Sequence, residues 1–230
     1  MLKKHNTIFF NSYGSKTTLC ELGIKYGTDK TPFLNYDAYN LDGNPTSHGY
    51  TPFYDFLFSN LRYKNISFGE IGIYKNSSMK MWREYFKNAI LYGWDCKPEQ
   101  NIEKRYNIDF VELAKKDLLP NTFYDYMNVK DELSIMESLK KTNNKFDILI
   151  DDSDHDFWSQ IRIIRSSPPY LKSGGMLIIE DMYHSVESIF EQIKLYGHHK
   201  FYDTMTFIQT EHNKKTYGDG IILLIRNEVE

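Results

Sequence analysis

The chain has 230 residues with 28 basic and 31 acidic side chains, a formal net charge of −3, and 41% hydrophobic residues. That is enough for one substantial core and demands no second. The basic residues are scattered, with pairs such as Lys140-Lys141 and Lys214-Lys215 reading as solvated loops, which leaves nucleic acid no electrostatic footprint. Cys20 and Cys96, the only cysteines, form neither a CxxC pair nor a zinc spacing, and a reduced, cytoplasmic setting fits them. The apolar run in MLKKHNTIFF is too brief for a signal-peptide core, and no stretch approaches the ~20 apolar residues of a membrane span. The expectation is a cytoplasmic protein with a small-molecule partner and neither nucleic acid nor membrane; homo-oligomerisation stays open.

Residues 1–60 read as an irregular, aromatic-rich cap or lid with turn signals at Tyr13-Gly14, Asp42-Gly43-Asn44-Pro45 and His48-Gly49. A helix is predicted from Thr51, with Pro52 in its first turn and Phe53, Phe56, Leu57 and Asn60 on one face. Residues 61–230 form the main domain, in which strand-like and helix-like segments alternate. Predicted strands are Ser67–Ile73, Ile90–Trp94, Thr122–Met127, Phe146–Ile150, Met176–Ile179, Phe201–Gln209 and Gly220–Arg226. Between them, Met79, Trp82 and Phe86 recur at helical spacing behind Ser77 or Ser78 as N-cap. Phe157, Ile161 and Ile164 do the same ahead of Pro168-Pro169. The last two strands leave no room for a crossover helix and must pair as an antiparallel hairpin. The fold class is therefore α/β: a Rossmann-like, seven-stranded, mostly parallel sheet with a terminal antiparallel β-hairpin and helices on both faces.

Two sites emerge at the strand ends. In GEIGIYKNSSMKMW, Gly72 ends a strand ahead of a helix whose free N–H groups suit a negative group, and Asp95 follows about twenty residues on, where an acid can accept ribose hydroxyls. Glu70 lies inside an apolar strand, where a carboxylate needs a buried partner such as a ligand's ammonium. Plain alternatives remain: a turn glycine, and a helix cap at Asp95. The second site is FDILIDDSDHD with GGMLIIED. If their strands are neighbours, Asp152, Glu180 and Asp181 converge, and clustered oxygens select Mg²⁺, Ca²⁺ or Mn²⁺ over zinc. His155 stands beside them, and histidine is the side-chain type suited to taking a proton at physiological pH. Asp154 or Asp156 is expected to cap the following helix. Glu211-His212 lies near the same mouth, whereas His184, His198 and His199 read as loop residues.

The segments YGTDK (Tyr26–Lys30), HGYTPFYDFLF (His48–Phe58), GEIGIYKNSSMKMWREYF, YGWD (Tyr92–Asp95), FDILIDDSDHDFWSQI, PYLKSGGMLIIED and TFIQTEHN together resemble class I S-adenosylmethionine-dependent O-methyltransferases. Within that group they resemble the metal-dependent macrocin and mycinamicin type, which methylates sugar hydroxyls. The glycine-rich first turn of that family is Lys75-Asn76-Ser77-Ser78 here, and DGSH is Asp152-Ser153-Asp154-His155.

The resemblance implies a divalent metal, Mg²⁺ by preference, on Asp152, Glu180 and Asp181, with His155 as general base. It implies S-adenosylmethionine in a pocket lined by Glu70, Gly72, Ser77 and Asp95, with Asp151 near its methionine end and Asn128 at the adenine rim. The implied reaction is methyl transfer to a hydroxyl of a nucleotide-sugar, glycan or glycoside, as in polysaccharide biosynthesis. Two other functions stay open: a catechol-type O-methyltransferase, and a non-catalytic cofactor-binding scaffold subunit, since a fold does not prove an activity.

Overall fold

The computed structural model describes residues 4–12, 14, 16–33, 47–100, 108–211 and 220–228. The elements are β1 (Asn6–Asn11), α1 (Thr18–Tyr26), α2 (Tyr50–Phe58), β2 (Ser67–Ile71), α3 (Ser77–Tyr85), β3 (Ile90–Asp95), α4 (Phe110–Lys115) and β4 (Thr122–Tyr126). After them come α5 (Glu132–Lys141), β5 (Phe146–Asp151), α6 (Phe157–Ser166), β6 (Leu171–Ile179), α7 (Val186–Leu195), β7 (Tyr202–Glu211) and β8 (Gly220–Arg226). The expected turns at Tyr13 and Asp42–Pro45, the pair Lys214-Lys215, and His212 lie outside the described residues.

All the strands join one sheet in the order β1-β7-β8-β6-β5-β2-β3-β4. β8 runs antiparallel to both β6 and β7, so the expected terminal hairpin is present, while the other pairings are parallel. The sheet has one strand more than expected. β1 pairs in parallel with β7 from Asn6 opposite Thr206 to Asn11 opposite Glu211. Its residues are almost all exposed, so NTIFFN lacks the buried apolar run that marks the central strands, and only a partner some 200 positions away makes it a strand.

β2 and β5 lie at the centre. Each residue of β2 is buried, and all of β5 except Asp147, as expected of parallel strands covered on both faces. Alternation divides the core. Ile148 and Ile150 face a layer containing Phe68, Leu91 and Ile178 with Leu19, Tyr54, Phe58, Met79 and Trp82 of the first three helices. Leu149 faces the opposite layer with Trp94, Phe146, Leu177, Ile135, Ile161 and Ile189.

Helix starts follow local chemistry. Asp156 caps α6 by accepting from the backbone N–H groups of Trp158 and Ser159 at 3.0 and 3.2 Å, and α6 ends at Ser166, two residues before Pro168. The α3 cap differs from expectation. Asn76 occupies the N-cap position with φ 66° and makes no side-chain cap bond, so Ser77 is the first helical residue. Ser78 is drawn away to Glu70. α2 also departs from its predicted face: Phe56 is 74% exposed, whereas Tyr50, Phe53, Tyr54 and Phe58 are buried. That rotation turns two tyrosine hydroxyls toward the acids of β6.

Trp82 is fully buried and meets the rings of Tyr54, Phe58, Phe68 and Phe86 at centroid distances of 5.1 to 6.0 Å. We expect Trp82→Ala to destabilise the protein by ~3–5 kcal/mol in urea unfolding. Leu195→Ala, at a position 74% exposed, should stay within ~0.5 kcal/mol of wild type.

Candidate functional site

The order of strands places β2 between β5 and β3, where the sheet reverses its winding, and ligands of open α/β sheets bind beyond the carboxyl ends at such a point. The predicted site residues stand on those ends. β5 and β6 are neighbours, with Asp151 opposite Ile179. Beyond them the Glu180 N–H donates to the Asp151 carbonyl at 2.9 Å, and the Asp152 N–H donates to the Ile71 carbonyl at 2.8 Å. Asp152, Glu180 and Asp181 are thus brought to one edge.

Within that edge, ligand atoms of Asp152, His155 and Asp181 all lie within 4.8 Å of one another, a set able to hold a metal ion. His155 Nε2 is 3.5 Å from Asp181 Oδ2. His155 and Asp181 adopt left-handed backbone conformations, with φ 55° and 53°. Non-glycine residues in this region are uncommon and cost energy, and such strain concentrates at functional sites. Two carboxylates and an imidazole form a donor set that fits a hard or borderline divalent cation.

Glu180 reaches the same edge with other partners. It is 1% exposed; Tyr54 donates to Oε1 at 2.6 Å, and the Lys30 ammonium bonds Oε2. Lys30 Nζ also lies 2.5 Å from Asp152 Oδ2 and 3.5 Å from Glu70 Oε1. The lysine is itself 1% exposed. Although burial acts against its charge, Asp152, Glu180 and Glu70 hold its pKa well above the ordinary lysine value. Burial raises Asp152 and Glu180 above the usual carboxylate range against the pull of that ammonium. Asp181 moves the other way: His48, His155 and the hydroxyl of Tyr50 outweigh burial and lower it. Tyr50 donates to Asp181 Oδ1 at 2.6 Å, and His48 Nδ1 stands 3.6 Å from the same oxygen.

The other predicted residues lie at or near the ends of β2, β3, β4 and β5. Glu70 is fully buried; Oε2 accepts from Ser78 Oγ at 2.8 Å, while Oε1 has no hydrogen-bond partner. Burial pushes its pKa up to about 7. Asp95 ends β3 and accepts from the N–H groups of Tyr74 and Cys96, each at 2.8 Å, and burial raises it. Asp151 accepts from Ser153 Oγ at 2.7 Å, and burial lifts it to about 7. Asn128 sits beyond β4, where Oδ1 accepts from the Lys130 N–H at 3.1 Å. Gly72 has φ 90°, and a Cβ there would fall 2.0 Å from the Asp152 carbonyl oxygen. The close approach that this glycine permits is therefore made by the chain leaving β5. His184 and Glu211 are exposed.

Sequence reasoning missed Lys30, His48, Tyr50 and Tyr54 as members of the site. Lys30 belongs to YGTDK, and Tyr50 and Tyr54, at i and i+4, share one face of α2, so their signal was present in motifs read only as resemblance. Both backbone N–H groups that open α2, those of Tyr50 and Thr51, donate to the Lys30 carbonyl, at 3.0 and 2.9 Å. The lysine and the tyrosines are thus positioned together.

The strand order is that of a Rossmann-like fold shared with a solved methyltransferase. Among the proteins to which the chain is similar are sugar O-methyltransferases. The chain is 27% identical over 143 residues to 8-demethyl-8-(2-methoxy-alpha-L-rhamnosyl)-tetracenomycin-C 3'-O-methyltransferase of Streptomyces olivaceus, covering 59% of this chain and 33% of that protein. It is 26% identical over 175 residues to mycinamicin VI 2''-O-methyltransferase of Micromonospora griseorubida, covering 73% and 37%. The solved MycE methyltransferase of the mycinamycin biosynthetic pathway, in complex with Mg and SAH, superposes with a TM-score of 0.63 at 18% identity, over 93% of this chain and 56% of that one. The chain thus spans about a third of the length of those two relatives. No family model matches it.

Two outcomes test the geometry. Gly72→Ala should cost more than ~2 kcal/mol, read as a lower urea midpoint, because both the φ and the Asp152 carbonyl oppose a side chain. For Glu70 the folded pKa of about 7 exceeds the ordinary 4.5, so the folded state holds the extra proton between those values. Its contribution to stability should fall as pH rises from about 4.5 to 7, by up to ~3 kcal/mol. Unfolding of Glu70→Gln across that window should lack this slope.

Proposed function

We propose that the protein transfers a methyl group from S-adenosylmethionine to a sugar hydroxyl with the help of a divalent cation, for which Mg²⁺ is the natural candidate. The observation that carries the reading is the meeting of Asp152 and Asp181 with His155 beside them, near Glu70, whose Oε1 is buried without a hydrogen-bond partner and lies 3.5 Å from the Lys30 ammonium. The sugar O-methyltransferase relatives and the Mg- and SAH-bound structural neighbour support it.

Asp152 and Asp181 would hold the cation, with Glu180 adjoining them as the third acid of the set. Glu70, Gly72, Ser77, Asp95, Asn128 and Asp151 would line the cofactor pocket. The open first turn of α3, where Asn76 makes no side-chain cap bond, suits the cofactor's carboxylate. When bound, the cofactor supplies an electrophilic methyl group and the cation lowers the pKa of an acceptor hydroxyl.

The rest falls to the chain. His155, at Nε2, takes the hydroxyl proton, and Asp181 beside it stabilises the imidazolium that forms. Methyl transfer needs little covalent help. Most of the acceleration therefore comes from holding acceptor and methyl in a near-attack geometry, an effect that can reach ~7–11 kcal/mol. From the N-terminal part of the chain, Lys30, His48, Tyr50 and Tyr54 close over this chemistry and exclude water from it.

The test is methylation of nucleotide-activated sugars and glycosides, followed by mass spectrometry, with and without EDTA. Activity should vanish with the chelator and with Asp152→Ala; indifference to both would end the metal reading. His155→Ala should reduce turnover by ~10²–10⁴-fold while calorimetric affinity for S-adenosylmethionine stays near wild type. A catechol run beside the sugars decides between acceptor classes, and failure to bind the cofactor at all would favour a scaffold.

A further inference from the structure

Among the described residues, the buried ammonium of Lys30 is a charge to which the proposed chemistry assigns no step. It reaches the site from the turn between α1 and α2, and it touches acids at the ends of three strands: Glu70 of β2, Asp152 after β5 and Glu180 after β6. Glu180 is pinned from its other oxygen by Tyr54. Asp181 completes the acidic group, served separately by Tyr50, His48 and His155. Three carboxylates, two of them buried and that of Asp152 partly so, thus meet one lysine. Burying like charges together is costly unless a counter-charge is close, and the ammonium provides it from within the chain.

We propose that Lys30 is a positioning residue that acts as a resident cation, holding Asp152 and Glu180 in place before a divalent ion arrives and limiting how tightly that ion then binds. The inference rests on the metal-dependent reading of the site. Two consequences run in opposite directions. Without the ammonium, the metal-free fold loses its counter-ion and weakens. The same loss adds one unit of negative charge to the site and frees an oxygen of Asp152 and one of Glu180, so a divalent ion binds more tightly. A merely structural lysine would not produce this pair, because loosening the fold weakens stability and metal affinity together. The physical benefit is coordination that stays incomplete: with carboxylate oxygens occupied by Lys30, a cation keeps positions for acceptor oxygens.

The experiment compares wild type, Lys30→Gln and Lys30→Arg, each metal-free, by thermal melting and by Mn²⁺ titration followed with electron paramagnetic resonance. Lys30→Gln should melt lower without metal, bind Mn²⁺ about tenfold more tightly, as expected for one added unit charge, and gain more in melting temperature from Mn²⁺ than wild type does. Lys30→Arg, which keeps the charge, should stay within about threefold of wild-type affinity. Wild-type or weaker Mn²⁺ binding by a folded Lys30→Gln would overturn the proposal.

If Lys30→Gln does not fold, Glu70→Gln gives a second reading. It leaves the ammonium wholly to Asp152 and Glu180, so Mn²⁺ should bind several-fold more weakly; unchanged affinity would overturn the proposal. If wild type binds no Mn²⁺ at all, the metal-dependent reading itself fails and takes this inference with it. That outcome is distinct from wild-type binding that is indifferent to position 30.

Discussion

The rest of the site depends on one buried ammonium. Lys30 is 1% exposed and lies against Glu70, Asp152 and Glu180, and each of those acids in turn ends or follows a different strand. A lysine is buried in this way only when its charge is answered, and carboxylates at adjoining strand ends repel unless something lies between them. The N-terminal segment therefore does more than decorate the sheet. Its backbone at Lys30 accepts from the N–H groups that open α2, and α2 in turn sends Tyr50 and Tyr54 to Asp181 and Glu180. The placing of Lys30 and the pairing of the acids are thus parts of one arrangement.

The sheet brings its own constraint to the same place. Asp152 leaves β5 so close to the turn after β2 that residue 72 has no room for a Cβ. A left-handed residue follows at His155 and another at Asp181. Regular strands end there because the chain must turn sharply to bring a carboxylate and an imidazole toward one point. The surrounding core is what makes that strain affordable: Ile148 and Ile150 on one face and Leu149 on the other fix β5 in register from both sides.

Much of this was legible in the sequence. Apolar runs ending in acids, such as FDILID and MLIIED, gave the central strands, their buried character and the acids at their ends, because a parallel strand covered on both faces leaves a continuous apolar signature. The hairpin followed from the short link between the last two strands. What escaped was long-range. NTIFFN is exposed and becomes a strand only beside β7. Tyr50 and Tyr54 look like core aromatics until β6 is placed beneath them. Lys30 reads as surface, since lysine nearly always is, and nothing local announces the three acids that it will meet from positions 40, 122 and 150 residues away.

The acids of the site end up in different electrostatic states, and this division says more about the chemistry than their number does. Burial raises Asp152 and Glu180, which share the lysine. Asp181, flanked by His48 and His155 and bonded by Tyr50, is lowered. Environments that push neighbouring titratable groups apart assign them different roles. Asp181 keeps its charge and faces the histidine at 3.5 Å. Glu180, enclosed by Lys30 and Tyr54, is the acid fitted to carry the positive charge of the chain itself. One lysine and two histidines thus give a cluster of like charges two different electrostatic surroundings.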